Sequence, residues 1–173
     1  MSEALTPSAF EPRGKPPPAK GRFRLRLWSI DHAAALERFY DLFEKALIAS
    51  APMLKRIGHD SLERPVAFVE RHVKGVLFDC RMCGDCVLSS TGMSCPMNCP
   101  KALRNGPCGG VRANGGCEVY PDMPCVWVKA FEGSQRMRQG ARIATPLLPV
   151  NHALKGSSSW LRLVRRRTGL EAA

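Results

Sequence analysis

The sequence predicts a small, mostly α-helical domain with an irregular, metal-stabilised, cysteine-rich middle and flexible termini. Three observations predict it. All eight cysteines fall between Cys80 and Cys125, so 46 of the 173 residues hold every thiol. Apolar residues recur at helical spacing before and after that stretch but not within it. Glycines and prolines punctuate the cysteine stretch too densely for a long helix or strand to cross it. The length suits one ordinary domain, or a small domain with tails.

Residues 1–30 read as a basic, proline-rich, flexible arm, with Pro7, Pro12, Pro16, Pro17 and Pro18 in its first part. Near its end Phe23, Leu25 and Leu27 alternate with Arg22, Arg24 and Arg26, which suits a short strand or an extended arm laid on a partner. Residues 31–140 form the predicted domain. Its first helix runs from Asp31, the expected N-cap, to Ala51, with Leu36, Phe39, Tyr40, Phe43 and Leu47 on one stripe and Pro52 marking its far end. A second helix is expected from about Leu62 to Leu77, sharing Val66, Val69, Val73 and Leu77 on a face, with Pro65 in its first turn. It leads into Cys80. Within the cysteine core, residues 80–125, one short helix is expected at Pro100 to Arg104, closed by Asn105-Gly106. A helix restarts at Pro124, with Cys125 in its first turn and Trp127 and Phe131 at i, i+4. Residues 141–173 read as a basic tail in which Trp160 to Arg167 fits a short amphipathic helix.

Charge and hydropathy exclude several classes. The net charge of +11 is split as +4 over residues 1–30, −1 over 31–79, +1 over 80–125 and +7 over 126–173. The basic excess thus lies on the two ends. No run of about 18 apolar residues exists, so no membrane span is expected. No export signal opens the chain, which places it in the cytoplasm, where clustered thiols are metal ligands rather than disulfides. A (β/α)8 barrel needs about 200 residues or more, so any chemistry requiring one falls to a partner.

The cysteines carry the chemistry. Few apolar side chains lie between Cys80 and Cys125 to offset the ordering entropy of that segment, about 1–2 kcal/mol per residue for the backbone. Metal–thiolate bonds supply the difference, because metal binding is coupled to folding. All eight are candidate ligands: Cys80, Cys83, Cys86, Cys95, Cys99, Cys108, Cys117 and Cys125. Zinc sites usually take thiolates in pairs, whereas this run opens with a triplet at i, i+3 and i+6. That triplet opens the ferredoxin run Cys-x2-Cys-x2-Cys-x3-Cys-Pro, and Cys95-Pro96 and Cys99-Pro100 both match its ending. Eight residues, not three, separate Cys86 from Cys95, so the fourth ligand of the first site stays open. Eight thiolates fit two 4Fe–4S clusters, two Zn2+ ions, or one of each. The triplet favours iron–sulfur and puts Cys80, Cys83 and Cys86 on one cluster.

The strings Phe78-Asp79-Cys80-Arg81-Met82-Cys83-Gly84-Asp85-Cys86, Cys95-Pro96-Met97-Asn98-Cys99-Pro100-Lys101, Asn105-Gly106-Pro107-Cys108-Gly109-Gly110, Cys117-Glu118-Val119 and Cys125-Val126-Trp127 resemble the methylenetetrahydrofolate reductase C-terminal family over roughly residues 62–135. The resemblance implies an accessory subunit, carrying iron–sulfur or zinc, of a two-subunit reductase. Its partner would be a flavin-containing barrel that converts 5,10-methylenetetrahydrofolate to 5-methyltetrahydrofolate. The chain would pass electrons to that barrel or complete its structure, with no catalytic residue of its own.

The remaining features read more plainly. Gly109-Gly110 and Gly115-Gly116 lack the strand and the Lys-Ser/Thr of a phosphate loop and suit turns that bring backbone close to a metal group. Asp85 and Glu118 are solvated or locally bonded carboxylates, and Trp127 is core packing. His32, His59, His72 and His152 lie outside the cysteine run, with His72 the only candidate for a substitute ligand. Arg162, Arg165, Arg166 and Arg167 suit a solvated tail, then an acidic partner, and last a nucleic acid, since they lie away from the cysteines with few aromatics between them.

Overall fold

The computed structural model describes residues 20–169, with side chains from residue 24 onward. It contains six α-helices among the described residues: α1 Lys20–Asp31, α2 Ala33–Ala49, α3 Ala51–Ile57, α4 His59–Phe78, α5 Val126–Ser134 and α6 Ser159–Arg167. Four helices precede the cysteine stretch, one follows it directly, and one comes back to it from the C-terminal side. Among the described residues no strand forms, and Gly116 and Pro124 make an isolated antiparallel bridge.

The N-terminal helices differ from expectation in three ways. The alternation around Leu25 and Leu27 lies inside α1, not in a strand or an extended arm. Arg26, Ser29 and Ile30 are buried on α1, and Ser29 Oγ donates to the Leu77 carbonyl at 2.8 Å, which ties α1 to the end of α4. Long arginine stems can cover apolar surface in a helix as well as in a strand, so an alternation this short cannot choose between them. Secondly, Asp31 closes α1, and α2 begins after His32 without a side-chain cap. Thirdly, Pro52 sits in the first turn of α3, the place where a missing N–H costs nothing. Residues 1–19, which hold most of the proline-rich arm, lie outside the described residues.

α4 starts earlier than expected, so Pro65 lies in its interior rather than in its first turn. The expected stripe is split: Val66 and Leu77 at its two ends are half-buried and pack against apolar clusters, while its middle does not turn inward. Phe68, Val69, Val73 and Val76 are exposed, while Glu70, Lys74 and Phe78 form the buried face. Hydrophobic periodicity assigns the apolar side to the core, and here a buried ion pair takes that place.

Small apolar clusters hold the elements together. Ala33 of α2, Phe78 of α4, Leu88, Met93, Cys95 and Met137 form one core beside the cysteine stretch. Leu54, Leu161 and Val164 form another, packed by Leu47, Leu62 and Val66, so that α6 joins α2, α3 and α4. Leu161 and Val164 are fully buried, worth about 1.5–3 kcal/mol each by the area removed from water. The expected helix at Trp160 to Arg167 therefore forms, and its apolar face is docked. α5 packs closely under the cysteine loop: a Cβ on Gly92 would stand 2.1 Å from the Ala130 carbonyl oxygen, and one on Gly133 the same distance from the Gly92 carbonyl oxygen. The expected helix at Pro100 to Arg104 is absent. Ala102 takes a positive φ of 53°, and the chain makes a single turn there before running on irregularly.

Candidate functional site

α4 ends at Asp79, whose left-handed backbone turns the chain out of the helix. The Cys80 N–H bonds back to the Lys74 carbonyl at 3.2 Å, so the first cysteine leaves the helix in a fixed direction. Positive φ values at Met82 and Gly84 then wrap Cys80, Cys83 and Cys86 around a common space. Asn98 locks this entry, its Nδ2 donating to the Phe78 carbonyl at 2.9 Å while its Oδ1 accepts from Arg81 Nε at 3.1 Å.

The eight cysteines sort into two sets of four. Cys80, Cys83, Cys86 and Cys95 line one cavity, together with Glu70 and Lys74 of α4 and Ser157 and Ser159 before and within α6. Cys99, Cys108, Cys117 and Cys125 line a second, together with Lys101, Glu118 and Trp127. The triplet thus gains Cys95-Pro96 as its fourth member, across a connection folded as the 3-10 turn Leu88–Ser90 and held by Leu88 and Met93 in the core. Only the 3-10 turn Pro96–Asn98 separates Cys95 of the first set from Cys99 of the second. Four residues of chain reach at most about 14 Å, so the two sites are neighbours.

Local hydrogen bonds build the second set. Cys117 N–H donates to the Met123 carbonyl at 2.8 Å and Cys125 N–H to the Gly115 carbonyl at 2.9 Å, which places these two cysteines side by side. Cys125 is the N-cap residue of α5, one position before its first turn. Trp127 is buried as core packing, and its Nε1 donates to the Leu103 carbonyl at 3.1 Å.

Several backbone N–H groups point at sulfur. Met82 N–H donates to Cys80 Sγ at 3.3 Å, Met97 N–H to Cys95, and both Leu103 and Lys101 N–H to Cys99. Such bonds favour thiolate. Burial opposes them and wins: the Cys80 thiol is pushed up to about 11, and those of Cys95 and Cys99 are also raised. Sulfurs that receive N–H bonds yet pay for their charge by burial suit a cation that would complete the balance. Metal binding does this by displacing the protons. The donor set, four thiols around each cavity, therefore fits a thiolate-bound metal group. Among the described residues no three His, Cys, Asp or Glu side chains converge closely enough to hold one metal ion.

Asp85, Glu118 and the histidines take no part beyond ordinary ion pairs and hydrogen bonds, whereas the C-terminal arginines depart from the plain reading. Asp85 is ion-paired with Arg166 at 3.1 Å and Arg104 at 3.6 Å, and Glu118 pairs with Lys101. His72 is exposed on α4, its Nδ1 bonded to the Phe68 carbonyl, and no histidine lines either cavity. The arginines of the C-terminal segment are not a solvated tail: Arg165 pairs with Glu63, Arg166 with Asp85 and Arg167 with Glu44. The Glu70–Lys74 pair was missed. Its signal was a charged i, i+4 pair in register with Phe78, hidden because charged residues are normally assigned to the outer face.

Fold and site together define a helical, cysteine-rich module with two adjoining four-cysteine cavities. Compared with known families, residues 59–153 match the family described as methylene-tetrahydrofolate reductase C terminal, more than half of the 173-residue chain. The chain belongs to that family, and so to the folate and one-carbon oxidoreductase context which the family describes. The match opens at the first residue of α4 and takes in all eight cysteines, while α1 to α3 and α6, with Ser157 and Ser159 of the first cavity, lie outside it. No curated protein and no solved structure matches the chain. Among the described residues no helix is long and apolar enough to cross a membrane.

Proposed function

We propose that this chain is the iron–sulfur accessory subunit of a flavin-dependent methylenetetrahydrofolate reductase, acting in the cytoplasm, with catalysis on a separate barrel subunit. The observation that carries this is the sorting of eight cysteines into two adjoining sets of four. Cys80, Cys83, Cys86 and Cys95 would hold one 4Fe–4S cluster, and Cys99, Cys108, Cys117 and Cys125 the other. When bound, such clusters supply one-electron storage at potentials set by charge, hydrogen bonds and exposure. The protein's part is to supply buried thiolates, N–H donors to sulfur and a short path between the sites.

The order of the ligands along the chain supports iron–sulfur over zinc. Zinc sites usually take thiolates in pairs, whereas Cys80, Cys83 and Cys86 form the triplet that opens a ferredoxin run, and Cys95-Pro96, which lines the same cavity, matches its ending. The exposed apolar residues of α4 support work within a complex, since contiguous apolar surface of this kind marks interaction sites. The internal pairing of Arg165, Arg166 and Arg167 argues against the nucleic-acid reading.

Anaerobic purification with metal, sulfide and visible-spectrum analysis tests the proposal. About eight irons and eight sulfides per chain are expected, with a broad brown absorption that dithionite bleaches. Two zincs and a colourless protein would leave a structural adaptor in place of an electron carrier. Co-purification with the barrel flavoprotein, and bleaching of its flavin through this chain, tests the partner.

A further inference from the structure

The helix that delivers the first cysteine also brings a buried cation to the same cavity. Lys74 of α4 is 4% exposed and lines the wall of the first four-cysteine site. Its ammonium has three N–H donors. Nζ donates to Glu70 Oε1 at 2.7 Å and to Ser159 Oγ at 2.8 Å, and it stands 5.2 Å from the centre of the Trp160 ring.

Glu70 does not simply cancel this charge. Its Oε1 also accepts from Ser159 Oγ at 2.5 Å, and its Oε2 accepts from Ser158 Oγ at 2.7 Å and the Trp160 N–H at 3.3 Å. Ser158 is the N-cap of α6, so the carboxylate rests on the positive end of a nine-residue helix. The carboxylate is held by α6, while Glu70 and Ser159 take two of the three ammonium donors of a lysine that shares the cavity wall with Cys80, Cys83, Cys86 and Cys95. The second cavity has no equivalent. Its Lys101–Glu118 pair is 24% and 37% exposed, where water screens it.

Resting on the iron–sulfur reading, we infer that Lys74 is a positioning residue for the first site: its remaining N–H donates to a sulfur of the group held there, and its buried charge makes that site the more easily reduced of the two. The physical reason is direct. Reduction adds a negative charge, a buried cation favours it, and both net charge and hydrogen bonds to sulfur set such potentials. Electrons entering the chain then settle on the site between α4 and α6.

The test is a potentiometric titration of the full chain, purified anaerobically and followed by electron paramagnetic resonance, for wild type, K74M and K74M/E70Q. The double variant removes both charges, so no lone buried carboxylate can unfold the protein and obscure the result. One of two midpoints is expected to fall by at least tenfold in the reduction equilibrium, about 59 mV for a one-electron couple, with the other unmoved. Two unmoved midpoints, or two that move together, overturn the role of Lys74 and leave the clusters standing. Loss of one cluster from the double variant assigns Lys74 a structural part and also overturns the inference. Zinc without sulfide in the wild type defeats the iron–sulfur reading itself, and this inference with it.

Discussion

At the residue scale, single atoms decide whether the first cysteine loop can close. Gly84 lies between Cys83 and Cys86 with φ of 78°, and a Cβ there would stand 2.2 Å from the Leu154 carbonyl oxygen. The segment leading to α6 lies across the loop at that point, and Gly156 N–H donates to the Met82 carbonyl at 2.8 Å. Gly84→Ala is expected to cost the backbone strain of about 1–3 kcal/mol plus the collision, read as a lower thermal midpoint. Gly106→Ala, at φ of 86° with open space around it, should show the strain alone and lose less. Tyr40 gives a second test. Burial, with Cys86 and other neighbours contributing, pushes its phenol from 10.0 up to about 12. The folded state then holds its proton above the pH at which the unfolded chain releases it. This stability is fully present below about pH 10 and is lost as pH rises toward about 12. Tyr40→Phe should flatten that part of the alkaline unfolding profile.

At the element scale, α6 is the piece whose role depends most on where it lands. Its buried side holds Leu161 and Val164, its N-terminus holds Glu70, and its arginines pair with Glu44, Glu63 and Asp85. Leu161→Ala should cost about 2–5 kcal/mol in denaturant unfolding, the usual range for emptying a leucine site in a core. Leu148→Ala, at a side chain 76% exposed, should stay within about 0.5 kcal/mol. Limited proteolysis of Leu161→Ala should open residues 157–169 first, because residues 140–156 keep ties of their own: Ile143 and Leu147 pack beside Trp127, and Asn105 bonds to the backbone of Leu147. α4 shows the opposite lesson. Val69 and Val73 are exposed and the Glu70–Lys74 pair is buried, so periodicity found the helix and the packed ends of its stripe, Val66 and Leu77, but misassigned its middle.

At the scale of the whole molecule, the helices and the cysteine stretch hold their shape by different means. α1 to α4 and α6 pack as regular helices, whereas residues 80–125, although residues 91–96 are buried without a break, are held locally only by short turns and one bridge. Removing the proposed metal with a chelator should therefore expose residues 80–125 to protease while much of the far-ultraviolet helical signal persists. Equal resistance with and without chelator would remove the metal from any structural part.

The sequence alone determined the presence of helices on both sides of the cysteines and the irregularity between them, and it singled out the eight cysteines proposed as ligands. Those follow from local rules: helical spacing, proline and glycine punctuation, and the clustering of one reactive residue type. Tertiary structure alone decided which cysteines face one another, because Cys95 and Cys99 are neighbours in sequence and part company across a three-residue turn. It also decided that α6 returns 85 to 90 positions along the chain to place Ser158, Ser159 and Trp160 on Glu70 and Lys74. No local pattern encodes such a meeting, since its energy exists only when both segments are already packed.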